Sequence, residues 1–128
     1  MKKLVLLIFV ASLFVASPVL SSHSWETSSY YLKNCKEEIR VLNDNPSNKA
    51  SFDICLAFIE GADRMHTGLT AVNRDNKLYC TQQSSDFMKD IKTYRSIWVK
   101  YLENNPQELP LNPVVTFISA MQEPFPCP

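Results

Sequence analysis

Few side chains in this sequence have the type and spacing that chemistry requires, and the cysteines are the most informative of them. Cys35, Cys55, Cys80 and Cys127 are separated by 20, 25 and 47 residues. Zinc sites made from cysteine use closely spaced pairs, and no such pair is present, which disfavours a metal site. An even number of widely spaced cysteines is instead typical of disulfide bonds in an exported chain. We therefore expect two disulfides and no free thiol nucleophile.

The remaining candidates for catalysis are two histidines and three carboxylates. His23 and His66 have no cysteine or second histidine at ligand spacing. Asp53, Glu60 and Asp63 lie within one predicted helix, where two carboxylates on one face could act as general acid and base, but a solvated helix edge is the simpler interpretation. With only two glycines in the chain, a phosphate-binding loop and a nucleophile elbow are both absent. We predict no enzymatic activity, no cofactor and no bound metal.

The first residues of the chain have the order of a secretory signal peptide. Lys2 and Lys3 are followed by an apolar run over residues 4–15 and then by small residues. The run is too short to span a bilayer and no basic stop-transfer sequence follows it, so an uncleaved anchor is the weaker alternative. We expect cleavage after Ser21, with Ser22 as the second choice. This divides the chain into a signal peptide over residues 1–21 and one mature domain over residues 22–128.

The charge of the chain gives no indication of a nucleic-acid partner. The sequence contains 13 basic and 13 acidic residues. Because Lys2 and Lys3 leave with the signal peptide, the mature chain keeps 11 basic residues against 13 acidic ones, a net charge of −2. A nucleic-acid-binding domain usually has a basic surplus. We expect neither nucleic acid nor, once the signal is removed, a membrane as the partner.

The strongest helical pattern lies over residues 84–105. Its apolar residues recur at helical spacing and form one stripe, which a strand cannot produce. The stripe consists of Phe87, Met88, Ile91, Tyr94, Trp98, Tyr101 and Leu102. Ser84 or Ser85 is the expected N-cap, Asp86 complements the helix dipole, and Pro106 prevents continuation. This segment is predicted to be a helix that faces the core.

Two helices are expected before it. The first begins at residues 27–29, carries apolar residues as far as Leu42, and ends at a polar turn over residues 43–48 that contains Pro46. Ser51 is the expected N-cap of the second, whose broad apolar surface runs from Phe52 to Ala62. Gly61 within it suggests a close approach of another helix or an early helix end.

A long loop and a last helix complete the prediction. The helical pattern is lost over residues 68–79, which contain the polar run 73–77 and are expected to form the longest loop. Asn112 and Pro113 have the types expected at the N-cap and first position of a last helix, which Pro124 ends.

The order of the helices predicts how the cysteines pair. Short turns make neighbouring helices antiparallel, which leaves Cys35 and Cys55 at similar heights, with an axial mismatch of about 5 Å. An antiparallel last hairpin likewise returns Cys127 to Cys80. The other pairings would require one bridge to reach across the molecule. We predict an all-α, single-domain bundle of about four helices, arranged as two helical hairpins and cross-linked by the disulfides Cys35–Cys55 and Cys80–Cys127.

Several segments, taken together, resemble a known family. They are DICLAFIEGAD at residues 53–63, YC at 79–80, VKYL at 99–102 with NP at 105–106, and PFPCP at 124–128. Their order and spacing resemble the Tai and Rap immunity proteins of type VI secretion, and the likeness covers most of the mature chain. Ala57 stands where many members have glycine, which is a mild departure.

The resemblance implies a periplasmic protein that binds and occludes a peptidoglycan amidase effector, protecting the producing cell and its kin. A general periplasmic helical binding or chaperone-like protein without a toxin partner is the alternative, and a periplasmic hydrolase is the least favoured reading. The expected partner is thus a protein, the cognate amidase effector. Association of two copies as a homodimer is left open.

The expected partner-binding residues lie at the end of the second helix and in the loop after it. They are Asp63, Arg64, His66, Asn73, Arg74 and Asp75. An inhibitor of a cleft enzyme needs an exposed segment, and this loop is the longest irregular one predicted. The turn over residues 104–112 is the rival surface, and a merely solvated connection is the simpler interpretation of the loop.

Overall fold

The computed structural model describes residues 24–36, 46–81 and 85–128. Its four α-helices are α1 (Ser28–Cys35), α2 (Pro46–Val72), α3 (Phe87–Asn104) and α4 (Pro113–Gln122). Short 3-10 helices lie at Ser24–Glu26, Arg74–Asn76 and Pro106–Glu108, and the described residues contain no strand. The predicted all-α class and its four helices are confirmed. The signal peptide, residues 37–42 of the predicted first helix and residues 43–45 of the predicted turn lie outside the described residues.

The buried stripe of α3 forms the centre of the core, as its spacing predicts. Ile91, Tyr94, Trp98 and Leu102 are each less than 5% exposed. The Trp98 ring stacks on Phe58 of α2 at 5.1 Å between centroids and meets Phe117 of α4 edge-on at 5.6 Å. One aromatic side chain therefore joins three helices. Met88, predicted to belong to the stripe, is 49% exposed.

Helix α3 begins later than its sequence pattern suggested. Asp86, and neither Ser84 nor Ser85, is the N-cap, and its carboxylate accepts a hydrogen bond from the backbone N–H of Lys89 at 3.1 Å. An aspartate at this position binds a first-turn N–H that has no partner within the helix and also complements the helix dipole. Asp86 thus fills the capping role that the prediction gave to a serine.

Helix α2 is longer than predicted at both ends. It begins at Pro46, because proline fits the first position of a helix, where its missing N–H is no loss. Residues 46–48 are therefore helical rather than part of a turn, and Ser51 lies inside the helix rather than at its cap. Gly61 does not end the helix, and it marks no close approach within the described part of the chain, where a Cβ added to it would have no atom within 4 Å.

The two predicted disulfides are confirmed. Cys35 and Cys55 join α1 to α2 with their Cα atoms 5.2 Å apart, and Cys80 and Cys127 are 4.9 Å apart. The backbone N–H of Cys80 also donates to the carbonyl of Phe125 at 2.8 Å. The start of α3 therefore lies beside the end of α4, as an antiparallel hairpin requires.

Both ends of the short helix α1 are held by other parts of the chain. At its start, the N–H groups of Ser28 and Ser29 donate to the carbonyls of Leu111 and Leu109 at 2.9 and 3.0 Å. These donors have no partner within the helix. At its end, the Arg95 Nε donates to the carbonyl of Cys35 at 2.7 Å. A helix of eight residues is marginal on its own, so these contacts and the disulfide hold it in place.

Candidate functional site

The connection between α2 and α3 is more regular than the predicted loop. Helix α2 continues through Gly68 to Val72, and Arg74–Asn76 form a 3-10 helix. The Asn73 side chain caps this turn by accepting a hydrogen bond from the backbone N–H of Asp75 at 3.0 Å. The expectation of an irregular loop was therefore wrong for residues 68–72, because a glycine followed by polar residues did not end the helix.

Tyr79 anchors the connection to α2. Its side chain is 1% exposed, and its hydroxyl donates to the Asp63 carboxylate at 3.2 Å. Its ring stacks on the His66 imidazole, with 3.9 Å between centroids and 14° between planes. The backbone N–H of Leu78 donates to His66 Nε2 at 3.1 Å. Two side chains one turn apart on α2 thus hold two consecutive residues of the connection.

The electrostatics of this cluster follow from its burial. Burial raises the pKa of Asp63, although the hydrogen bond from Tyr79 and the nearby His66 act in the opposite direction. Burial and the Lys77 ammonium lower the pKa of His66, against the opposing effect of Asp63. The pKa of the Tyr79 hydroxyl is raised well above its usual range, chiefly by burial. His66 is therefore neutral near pH 7, as its role as a hydrogen-bond acceptor requires.

The structure divides the six predicted partner-binding residues into two groups. Asp63 is only 4% exposed and His66 is partly buried. Their side chains accept hydrogen bonds from Tyr79 and Leu78, respectively. The exposed residues are Arg64, Asn73, Arg74 and Asp75. Arg64 lies 2.9 Å from Glu60 and 5.0 Å above the Phe87 ring. These four are available to a partner, whereas the first two shape the segment that carries them.

The rival surface, the turn over residues 104–112, is also ordered. Its 3-10 helix, Pro106–Glu108, follows directly after α3. The Tyr101 hydroxyl donates to Glu108 Oε2 at 2.8 Å, and the Asn105 side-chain amide donates to the carbonyl of Tyr101 at 2.8 Å. Both surfaces are therefore preformed, so order alone does not decide between them.

The cysteines and the His66 imidazole near Tyr79 are engaged in bonds within the chain. All four cysteines are in disulfides, and His66 Nε2 is already occupied by the Leu78 N–H. Among the described residues, no group of three or more His, Cys, Asp or Glu side chains is arranged to hold a metal ion. A shallow hollow of about 280 Å³ adjoins the cluster and is lined by His66, Thr67, Thr70, Lys77, Tyr79, Cys80 and Thr81.

Sequence reasoning assigned no structural role to Tyr79 in this site. The sequence feature that could have indicated a role for Tyr79 is its position as an aromatic residue directly before Cys80, at the end of a polar run. A buried tyrosine usually needs a partner for its hydroxyl, and Asp63 is 16 residues earlier in the chain. Only the reversal of direction between α2 and the connection brings these two together.

Comparisons with known proteins bear on the identity of the chain. The family model of the Rap1a immunity proteins matches residues 27–127, which include all four helices and both disulfides. A search of curated proteins and a search of solved structures each found no match. None of the described helices is long and apolar enough to cross a membrane. Since the family model covers most of the sequence, the chain belongs to the Rap1a immunity protein family.

Proposed function

We propose that this immunity-family protein acts in the periplasm, where it binds a peptidoglycan amidase effector of a type VI secretion system and blocks its active-site cleft. The signal-like residues 1–21 would export the chain to the compartment where such an enzyme meets peptidoglycan. Both disulfides fit an oxidising compartment. The protein would protect the producing cell and its kin by occlusion, without catalysis of its own.

The observation that supports this proposal best is the ordered turn over residues 73–77, in which Asn73, Arg74, Asp75 and Lys77 are exposed. The Asn73 cap shapes the turn from within, and Tyr79 and His66 hold the chain just after it. A partner that binds a preordered segment loses less conformational entropy than one that must first order a loop. Such a turn at the end of a long helix is suited to entering an enzyme cleft.

The proposed contacts are made by Arg64, Asn73, Arg74 and Asp75. These residues are exposed and carry charges of both signs together with an amide, so they can form charge-assisted hydrogen bonds with a polar cleft. Asp63 and His66 would act indirectly, because they fix Tyr79 and Leu78. This assignment keeps the six predicted residues but gives two of them a supporting role.

A double charge reversal tests the proposal. Arg74→Glu with Asp75→Lys leaves the Asn73 cap in place, because the capping bond is made to a backbone N–H. We expect the affinity for the amidase effector of the same secretion system to fall at least tenfold, about 1.4 kcal/mol, in isothermal titration calorimetry. Circular dichroism should show an unchanged helix content.

The matched control changes the rival turn. Asn104→Lys with Gln107→Glu alters two exposed residues and should leave the affinity unchanged. The reverse result would be a weaker affinity for the control variant and an unchanged affinity for the Arg74 variant. It would indicate that the interface lies at residues 104–112. Weak binding of many unfolded proteins, without selective binding of one amidase, would instead favour the chaperone-like alternative.

A further inference from the structure

The hollow beside the Tyr79 cluster has a lining that contains an ammonium and no carboxylate. Besides Tyr79, it is lined by a lysine, an imidazole, a cysteine in a disulfide and three threonines. The Asp63 carboxylate is not part of the lining, and it accepts a hydrogen bond from the Tyr79 hydroxyl at 3.2 Å. The charged group that lines the hollow is therefore the Lys77 ammonium. A hollow lined in this way favours an anion.

The neutral His66 imidazole supplies a hydrogen-bond donor to the lining. Its Nε2 accepts the backbone N–H of Leu78 at 3.1 Å, so in the neutral ring the proton is on Nδ1. Within the described part of the chain, Nδ1 donates to no other group. A partly buried N–H that has no acceptor costs free energy. His66 thus offers one N–H to an acceptor from outside the chain.

Two further donors line the hollow beside His66. Lys77 directly precedes Leu78, so the hydrogen bond between Leu78 and His66 also brings Lys77 to this side of α2. Thr67 directly follows His66 on α2. Neither the Lys77 ammonium nor the Thr67 hydroxyl makes a hydrogen bond or ion pair with another described residue. An ammonium, an imidazole N–H and a hydroxyl are therefore all available to one ligand.

The donors and the size of the hollow indicate which ligand fits. A carboxylate accepts hydrogen bonds through two oxygens, and its bonds with charged donors are among the strongest in proteins. The volume of the hollow is about 280 Å³, below the roughly 300–1,000 Å³ of sites that hold a whole small molecule. The hollow also adjoins the turn over residues 73–77, which carries proposed contacts with the partner. A carboxylate side chain inserted by that partner therefore fits better than a free metabolite.

We propose that this hollow binds an aspartate or glutamate side chain of the amidase effector, and that Lys77 determines its charge specificity. The inference rests on the proposed function, because it names the group of the effector that lies beside the turn over residues 73–77. The carboxylate accepts hydrogen bonds from Lys77 Nζ, His66 Nδ1 and the Thr67 hydroxyl. An effector with a basic side chain at this position is repelled, which discriminates against the wrong partner.

Lys77→Gln tests the proposal in isothermal titration calorimetry with the amidase effector of the same secretion system. The change removes the charge and keeps a polar side chain. We expect the affinity to fall at least tenfold and to depend less on salt than that of the wild type. Lys89→Gln is the matched control, because Lys89 is also an exposed lysine but lies on α3, outside the hollow. It should leave the affinity unchanged. Equal effects of the two variants would overturn the proposal.

A double-mutant cycle identifies the carboxylate on the effector. Each aspartate and glutamate at the rim of the effector's cleft is changed singly to its amide, and each variant is titrated against the wild type and Lys77→Gln. At one effector position, the two changes together should weaken binding at least tenfold less than the product of their separate effects. Independent effects at every position would contradict the proposal.

The same titrations separate this inference from the proposed function. A wild type that binds no amidase effector would contradict the proposed function, and this inference with it. Tight binding that does not respond to Lys77→Gln would contradict this inference alone. Circular dichroism of Lys77→Gln should show an unchanged helix content, because the Lys77 side chain makes no bond to another described residue.

Discussion

His66 Nε2 accepts a hydrogen bond at 3.1 Å from the backbone N–H of Leu78, which lies 12 residues further along the chain. An imidazole can accept this bond only when Nε2 is unprotonated. The contact joins α2 to the connection that follows it, directly beside the turn over residues 73–77. One of the contacts that place that turn therefore depends on the protonation state of His66.

We predict that the protein loses stability between about pH 7.5 and pH 5 through His66. Burial and Lys77 lower its pKa in the folded state below the ordinary value of 6.5. As the pH falls through 6.5, the unfolded chain takes up a proton that the folded chain does not, so unfolding becomes more favourable. Thermal melts of the wild type across this range should show a falling midpoint.

The control for this prediction is His66→Gln, whose side-chain oxygen can still accept the Leu78 N–H but does not titrate. Its midpoint should vary less with pH than that of the wild type. Burial raises the pKa of Asp63 above its ordinary 3.8. As the pH falls toward 3.8, the folded chain therefore takes up a proton at Asp63 more readily than the unfolded chain, which increases the stability and opposes the effect of His66. Identical pH slopes for the two proteins would show that His66 is not the responsible group.

Tyr79→Phe should destabilise the protein through Asp63. Without the hydroxyl, a carboxylate that is 4% exposed loses its hydrogen-bond donor, and an unsatisfied buried group of this kind costs about 1–3 kcal/mol. Chemical denaturation measures the loss. Combining the change with Asp63→Ala, which removes the unsatisfied acceptor, should cost less than the sum of the two single changes. Strict additivity would mean that the two side chains do not interact.

The core of this fold was predictable because its signals are local. The spacing of Ile91, Tyr94, Trp98 and Leu102 gave the buried face of α3, and Asn112 before Pro113 gave the start of α4, where the Asn112 side chain accepts from the Val114 N–H. The disulfides followed from the order of the helices. Each of these predictions required only the residues within a few helical turns, or the antiparallel direction of neighbouring helices.

The end of α2 and the site beside it were not predictable in the same way. Gly61 and Gly68 weaken a helix locally, but the cost of each is about 1 kcal/mol, and burial of Ile59 and Ala62 on the inner face outweighs it. The contacts of Tyr79 with Asp63 and His66 span 16 and 13 residues. These contacts can be predicted only once α2 is known to continue to Val72, and no local pattern in the sequence indicates that it does.

The two disulfides should be reduced in a fixed order. Cys35 and Cys55 are both fully buried, whereas Cys127 is exposed, so a reductant reaches Cys80–Cys127 first. Its loss opens a 48-residue loop, worth about 4 kcal/mol on the chain-entropy model. Stepwise reduction with alkylation and mass spectrometry should detect a species labelled only at Cys80 and Cys127. Labelling of Cys35 and Cys55 first would contradict the burial argument.

Thr116→Val should destabilise the protein more than the same change at an exposed threonine. The Thr116 hydroxyl is fully buried, accepts from Trp98 Nε1 at 3.1 Å and lies 2.7 Å from the Ser28 hydroxyl, so it joins α1, α3 and α4. Valine keeps the shape but leaves the indole N–H without its acceptor, at about 1–3 kcal/mol. Thr93→Val, on the exposed side of α3, should change the unfolding free energy by less than about 0.5 kcal/mol. Equal effects of the two changes in urea denaturation would show that the buried hydroxyl contributes nothing beyond its volume.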